Sequence, residues 1–386
     1  MIIESLLDTD LYKVSMGQVV LHKFSSAHVK LAFKCRTEDM GLIGLKDKIQ
    51  EEIDHLCTLR FTKEELNYLG TIRFLSKDYI DFLSLLQLNK DFIKIEVMRD
   101  RLEIIIEGPW FIVIYFEIPV LAIINELYNR ELFDLEIRYE EGKKRLLEKI
   151  KVAKDYYGTF KFSEFGTRRR FTKYWQEEVI QTLKEELPDK FTGTSNVMLA
   201  MKHNLTPVGT MAHEFLQACQ ALGPRLIDSQ KFALQTWAEE YRGDLGIALS
   251  DVVGMDAFLR DFDLYFCKLF DGARHDSGDP YIWCEKLINH YERNKIDPKT
   301  KMAVFSDCLT MEKAVNIART FDGRIKTSFG IGTHLVNDMG VIPLQMVIKM
   351  IECEGQPVAK ISDSPGKEMC RDENYIKYVK EVFRIR

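Results

Sequence analysis

The chain has 386 residues, 46% hydrophobic and 29% charged, without low-complexity tracts, which excludes a disordered or fibrous protein and calls for one large or two ordinary domains. Its net charge of −5 gives no general attraction for nucleic acid or an anionic membrane, so any anionic ligand must be held by local cations. The start, Met1-Ile2-Ile3-Glu4-Ser5, lacks the basic segment and apolar core of a signal peptide. No apolar run is expected to span a membrane. The eight cysteines are scattered without a C-x-x-C pair, as suits reduced thiols in a cytoplasmic protein rather than disulfides or a zinc site.

In chain order, residues 29–36 alternate apolar and polar like a half-buried strand. Helical patterns cover residues 45–56 and 63–69, the second opened by Thr62 with Glu65 three positions on, a capping box. Residues 102–107 and 110–116 read as two strands broken at Gly108-Pro109. The apolar stretch from Trp110 to Ile124, interrupted by Glu117 and Pro119, then reads as a buried strand running into a helix. The charged amphipathic segment 135–157 predicts a long helix. Residues 161–166 predict a short strand ending at Gly166, followed by a helix to about residue 186.

Beyond this point short apolar runs end in polar or glycine residues. Residues 246–250 end at Asp251, and 302–305 at Ser306-Asp307 before a helix over 311–320. Residues 325–329 end at Gly330-Ile331-Gly332-Thr333. Such alternation predicts parallel strands with helical crossovers, and α/β barrels build their sites at the carboxyl ends of those strands. The tail, residues 344–354 and 358–362 around Gly355-Gln356-Pro357, reads as an antiparallel hairpin rejoining the N-terminal strands.

Gly209-Thr210-Met211-Ala212-His213-Glu214-Phe215 follows Gly193-Thr194-Ser195-Asn196 and sets an imidazole beside a carboxylate where a strand enters a helix. A neutral imidazole can attack phosphorus or take a proton. A zinc-protease helix requires His-Glu-x-x-His, and Gln217 stands at the second histidine position. Taken alone, His213 reads as an ordinary polar residue. Gly330-Ile331-Gly332-Thr333 could bring backbone N–H groups to a phosphate, or simply make a tight turn. Arg274-His275-Asp276-Ser277-Gly278-Asp279-Pro280 offers a carboxylate for ribose hydroxyls and an arginine fork for pyrophosphate, with Mg²⁺ between phosphate and carboxylate. Asp279 as N-cap with Pro280 behind it is the plain alternative. Phe165-Gly166-Thr167-Arg168-Arg169-Arg170 could stack a flat aromatic acid on Phe165 while an arginine holds an anion. Three arginines at a helix start oppose the macrodipole and call for an anion. Asp251 and Asp307 end strands at the same barrel mouth, placed to orient His213 or hold Mg²⁺.

Together with Asp8-Thr9-Asp10-Leu11-Tyr12-Lys13, Ser328-Phe329 and the segment Val358 to Lys367, these motifs closely resemble, in order and over essentially the whole length, the bacterial nicotinate phosphoribosyltransferase family. The resemblance implies an α/β fold: an irregular TIM-like α/β barrel over 136–341, and a smaller discontinuous α/β domain from 1–135 and 342–386. It also implies a homodimer with shared active sites. The implied reaction is ATP-dependent: nicotinate and phosphoribosyl pyrophosphate (PRPP) give nicotinate mononucleotide and pyrophosphate in NAD salvage. Mg²⁺ assists, and ATP, the co-substrate, is hydrolysed through a phosphohistidine at His213.

By the same resemblance, Phe165 would stack on the pyridine ring opposite the partner subunit's Tyr12. Thr194 and Ser195 would meet substrate, Ser195 standing where nicotinamide-using relatives carry an aspartate that would repel a carboxylate. Arg168 and Arg274 would hold phosphates or the nicotinate carboxylate. Asp276 would take ribose hydroxyls with Ser277 and Gly278 beside it. Gly330, Gly332 and Thr333 would take the 5′-phosphate, and Asp279 is the candidate Mg²⁺ ligand. Cys308 stands where glycine or asparagine is expected. The rivals are three: a nicotinamide-using enzyme, disfavoured by Ser195; a sugar-phosphate lyase or aldolase, with Lys326 as its one candidate Schiff-base lysine; and a non-catalytic nucleotide-binding regulator.

Overall fold

The computed structural model describes residues 1–37, 41–99, 101–363, 370 and 372–385. Helix α1 (Leu11–Lys23) leads into β1 (His28–Cys35), followed by α2 (Lys46–Leu56), α3 (Lys63–Leu69) and α4 (Lys77–Leu85), then β2 (Ile93–Met98) and β3 (Arg101–Pro109). The expected capping box closes the start of α3: the Thr62 hydroxyl accepts the Glu65 N–H, and the Glu65 carboxylate accepts the Thr62 N–H at 2.7 Å.

The strand expected over 110–116 is a helix. After Pro109 the chain forms α5 (Trp110–Val113) and α6 (Glu117–Leu132). These residues are buried on nearly every side, so their sequence carries neither a helical nor a strand period. The stretch Trp110–Leu132 is also longer than the sequence reading allowed: by length and composition it could cross a membrane, yet 83% of its apolar window lies inside the fold. Its polar groups have partners there. Glu117 pairs with Lys13 at 2.7 Å, and the Asn125 side-chain amide donates to the Arg170 carbonyl at 2.5 Å, as buried polar groups must. Helix α7 (Leu135–Lys154), capped by Asp134, then carries the chain onward.

The second sheet takes β4 (Phe162–Glu164), β5 (Phe191–Thr194) and β6 (Thr206–Pro207), separated by α8 (Lys173–Glu186) and α9 (Val197–His203). Helices α10 (His213–Leu222) and α11 (Ser229–Tyr241) lead through β7 (Arg242–Leu245) to β8 (Ile247–Leu249). Then come α12 (Met255–Asp261), α13 (Leu264–Leu269), β9 (Gly272–His275), α14 (Pro280–Arg293), β10 (Met302–Phe305), α15 (Met311–Phe321), β11 (Lys326–Ile331) and α16 (Thr333–Val336). Seven of these strands run parallel in the order β6-β5-β4-β11-β10-β9-β8. Because β4 pairs with β11, early and late strands meet and the sheet curls into an irregular barrel with β6 and β8 as edges. Rings of Phe162, Phe160, Phe329, Phe305 and Trp283 follow one another at centroid distances of 5.3–5.4 Å, each contact adding about 0.5–1.5 kcal/mol beyond simple burial.

The tail returns as β12 (Met346–Cys353), antiparallel to β1, with β13 (Gln356–Pro357) and a final α17 (Glu373–Phe383). The five-stranded sheet β13-β12-β1-β3-β2 thus joins strands from both ends of the chain. The hairpin is shorter than expected, since only Glu352–Pro357 and Cys353–Gln356 pair. After Val358 the chain leaves the sheet, and the Ile361 N–H bonds to the Val252 carbonyl at 2.7 Å. That detour brings Lys360 to a buried carboxylate. Residues 364–367 of the tail motif lie outside the described residues.

Candidate active site

Parallel strands put their carboxyl ends on one side, and there a cavity of about 440 Å³ opens. His213 lines it as the first residue of α10, 4% exposed. Its Nε2 lies 2.7 Å from Asp251 Oδ1 and 3.6 Å from Asp276 Oδ2. Asp251, just past β8, is held from the other side by the Lys360 ammonium at 3.0 Å and the Ser277 hydroxyl at 2.7 Å, both on Oδ2. Burial opposes ionisation of Asp251, but the His213 and Lys360 contacts outweigh it and keep the carboxyl well below its usual range. Burial and the Lys360 charge pull His213 down to about 4, against the pull of Asp251. The imidazole is therefore neutral at pH 7. Facing a carboxylate, Nε2 carries the hydrogen, which leaves the Nδ1 lone pair for chemistry.

Glu214, the neighbour in sequence, does not serve the imidazole. It accepts from the Lys13 ammonium and from the Trp110 indole N–H, the latter at 2.6 Å. Asp276, past β9, accepts from the Ser306 hydroxyl at 2.9 Å. Burial opposes its ionisation too, and His213 and Arg274 hold it below the normal carboxylate range.

Among the described residues six cations line the cavity: Arg36, Arg168, Arg169, Arg274, Lys349 and Lys360. Arg274 spends one N–H on the Met211 carbonyl at 3.0 Å, and its Nε has no partner among the described residues. Arg168 is loosely placed, 3.5 Å from Glu117, which already pairs with Lys13. Burial and the neighbouring Arg168 pull Arg169 down to about 10. Burial, Lys360 and Arg168 pull Lys349 down to about 7. Packing like charges this closely is unfavourable in the empty protein and favourable around a polyanion.

The aromatic end is formed by Phe165, past β4, and Tyr12, in the first turn of α1. A side chain at Gly330 would run into the Phe165 ring. The N-terminal segment is stitched to β5: the Leu11 N–H bonds the Ser195 carbonyl at 2.8 Å, and the Ser195 hydroxyl donates to Asp10 at 2.7 Å.

Of the expected site residues, Tyr12, Phe165, Arg168, Ser195, His213, Arg274, Asp276, Asp307, Gly332 and Thr333 line this one cavity. Tyr12 lines the cavity of its own chain, where the Leu11 N–H ties the start of α1 to Ser195 at the end of β5. The second carboxylate at the imidazole is Asp276 and not Asp307. Thr194 is fully buried and donates to Glu164 at 2.6 Å, so it braces β4. Ser277 braces Asp251, as above, and Gly278, at φ 81°, makes the turn that lets it. Gly330 makes room for the Phe165 ring. Asp279, the expected metal ligand, accepts the Tyr281 and Ile282 N–H groups at 2.8 and 2.9 Å on one oxygen as the N-cap of α14, and it is not among the residues that line the cavity. The three arginines precede the helix, which starts at Lys173, and the anion for Arg170 is Asp8, at 2.7 and 2.8 Å. Cys308 adopts φ 47°, the left-handed conformation that glycine and asparagine tolerate best.

Sequence reasoning assigned no role to Arg36, Lys349, Lys360 or Asp10. Lys349 had a signal: it is the one cation in the otherwise mostly apolar strand Met346–Cys353. Lys360 had none, since nothing local shows which carboxylate it meets.

Residues 160–386 match the nicotinate phosphoribosyltransferase (NAPRTase) family, and residues 7–125 match its N-terminal domain. The chain is 58% identical to the nicotinate phosphoribosyltransferase of Burkholderia mallei, covering 100% of this chain and 98% of that one. It is 57% identical to that of Bordetella petrii, covering 100% and 99%. The crystal structure of nicotinate phosphoribosyltransferase from Vibrio cholerae superposes with a TM-score of 0.95 at 38% identity, covering 100% of this chain and 94% of that chain.

Proposed function

The chain belongs to the nicotinate phosphoribosyltransferase family, and on that premise we propose how its residues divide the work. The enzyme joins nicotinate to the ribose of PRPP, releasing pyrophosphate and giving a precursor of NAD. The pyridine nitrogen attacks C1 of the ribose as pyrophosphate leaves. Little covalent chemistry is asked of the protein there, and positioning and charge stabilisation dominate. Phe165 and Tyr12 hold the ring, Asp276 faces the ribose hydroxyls, and Arg168, Arg274, Lys349 and Lys360 take the developing charge of pyrophosphate.

His213 is the covalent phosphate carrier in this reading. The supporting observation is the 2.7 Å contact between its Nε2 and Asp251, which leaves Nδ1 unprotonated. Nδ1 attacks the γ-phosphorus of ATP, the bond to the β-phosphate oxygen breaks, and ADP leaves with the electron pair. Asp251 stabilises the imidazolium that forms, and the positive end of α10 favours the added phosphate. Mg²⁺ fits the donor set as an ion held by one or two carboxylates plus substrate phosphates. Asp276 and Asp307 would hold it, since both Asp251 oxygens are occupied. When bound, it offsets phosphate charge.

The test is direct. With γ-labelled ATP and Mg²⁺ the protein is expected to acquire acid-labile, base-stable phosphate on one peptide, and to release pyrophosphate only when nicotinate is supplied. An unlabelled protein would exclude the phosphohistidine. We also propose a cytoplasmic homodimer, supported by the family relationship and checked by sedimentation.

Two further outcomes follow from the cavity. Ser195→Asp would set a second carboxyl against Asp10 at hydrogen-bond distance and add negative charge facing nicotinate. The kcat/KM for nicotinate is expected to fall at least about tenfold, equivalent to ~1.4 kcal/mol of repulsion, with nicotinamide disfavoured less. Equal losses for both substrates would remove Ser195 from specificity. Lys349, pulled to about 7, is charged below that pH and neutral above it. Lys349→Arg keeps its charge throughout. The variant's pyrophosphate affinity, relative to wild type, is therefore expected to rise by about tenfold between about pH 6 and about pH 8.5. A pH-independent ratio in titration calorimetry would contradict this.

A further inference from the structure

Glu164 ends β4, is fully buried and is not among the residues that line the cavity. Its side-chain oxygens accept from three neutral donors. Oε1 takes the Gly166 N–H, and Oε2 takes the Thr194 hydroxyl at 2.6 Å and the Gln176 side-chain amide at 3.0 Å. Its main-chain carbonyl takes the Ser195 N–H at 2.8 Å. Phe165 lies between Glu164 and Gly166, and Ser195 follows Thr194. One residue therefore grips the chain on either side of Phe165 and at Ser195, both of which line the aromatic end of the cavity.

The donors around Glu164 call for a carboxylate. The Gly166 N–H can only donate. Gln176 is fully buried, and its amide cannot be turned over because its Oε1 accepts from Arg170 at 3.2 Å. The Thr194 hydroxyl gives its hydrogen to Glu164 while its oxygen accepts the Asn196 N–H at 3.0 Å. A side chain here must offer an acceptor on both of its terminal atoms, which a carboxylate does and an amide does not. Burial pushes the carboxyl up to about 7 against these bonds, so the group is held at a cost. Main-chain bonds already join β4 to β5. What the carboxylate adds is the placement of the residues just past the strand ends.

We propose that Glu164 is a positioning residue of the nicotinate site, holding Phe165 and Ser195 at the spacing that seats the pyridine ring and its carboxylate. This rests on the reading of Phe165 and Ser195 as the nicotinate end of the cavity. Glu164 acts by locking residues that meet the substrate, as supporting hydrogen bonds do in a preorganised site. Arg274 and Asp276 lie on and just past β9, which β11 and β10 separate from β4. The effect is therefore confined to nicotinate and spares PRPP.

Steady-state kinetics of the whole protein at about pH 8.5, where Glu164 is ionised, test this. Glu164→Gln sets an N–H₂ group against a donor in either orientation of the new amide. The KM for nicotinate is expected to rise about tenfold or more, as for a displaced positioning contact, with the KM for PRPP and the rate of labelling by γ-labelled ATP within about threefold of wild type. Thr194→Val removes one of the donors and keeps the volume. It is expected to raise the KM for nicotinate about fivefold, the scale of one net hydrogen bond, and the KM for PRPP by less than about twofold. If Glu164→Gln does not fold, Thr194→Val decides the question alone. Equal rises for nicotinate and PRPP would overturn the proposal and make Glu164 a general brace of the barrel. No rise for either would overturn it as well. Phe165→Ala separates the proposal from the reading beneath it. An unchanged KM for nicotinate in Phe165→Ala would place nicotinate elsewhere, and the proposal would fall with that reading. A raised KM in Phe165→Ala beside an unchanged one in Glu164→Gln would overturn the role of Glu164 alone.

Discussion

His213→Asn is expected to abolish the phosphoenzyme and to lower ATP hydrolysis by about 10³-fold or more, the scale on which removing a nucleophile acts. The substitution keeps a polar residue at the start of α10 and leaves the cations of the cavity in place. Nicotinate mononucleotide should therefore still form from nicotinate and PRPP, slowly and without response to ATP, because bond formation at C1 depends on positioning rather than on the imidazole. The two rates separate the roles: ATP turnover falls to background, and the PRPP-dependent rate keeps a residue. Label retained in His213→Asn would place the phosphate elsewhere. Loss of both activities to the same background, with the fold intact by thermal melting, would mean that His213 serves the transfer step directly.

Asp251→Asn tests the other half of the same contact. The carboxylate accepts the Nε2 hydrogen of His213, and an amide in its place can present its N–H₂ to that nitrogen. The ring would then carry its hydrogen on Nδ1, the atom that must attack. Phosphoenzyme formation is expected to slow by roughly 10²–10⁴-fold, the scale seen when the orienting acid of a catalytic histidine is made an amide. Stability should fall as well. Lys360, 6% exposed, depends on Asp251 for its counter-charge, and breaking a buried pair of this kind costs about 3 kcal/mol. Stopped-flow labelling and a melting curve read the two effects separately. A labelling rate within threefold of wild type, at a lowered melting temperature, would leave Asp251 a purely structural role.

How far the chain could be read from its residues differs between its parts. The capping box at Thr62 and the long helix after Asp134 are local events, decided by side chains within one turn, and they form as read. The short strands of the barrel were legible because each is an apolar run closed by a polar or glycine residue. The run after Pro109 was not: buried on all sides, it has no polar face to set a period, and only the Lys13–Glu117 pair and its neighbours show why Glu117 is tolerated there. Thr194, Ser277 and Asp279 brace or cap in the structure, and each stands within a residue or a few of a cavity-lining one. At that spacing a hydroxyl or carboxylate can as easily brace the site or cap a helix as touch a ligand.

By itself the sequence determined the class of chemistry. A neutral imidazole at a strand end, arginines beside an aromatic, paired glycines after a strand and a carboxylate-rich turn depend on residue type and local order, which a chain carries before it folds. The resemblance to one family over the whole length depends on nothing more. Tertiary structure alone decided which carboxylate orients His213 and which cations face the cavity. Asp251 and Lys360 are 109 positions apart, and Lys360 reaches Asp251 only because the tail leaves the five-stranded sheet and bonds to Val252. Contacts of that separation are set by how two sheets pack, and the energy that selects them is shared over the whole core.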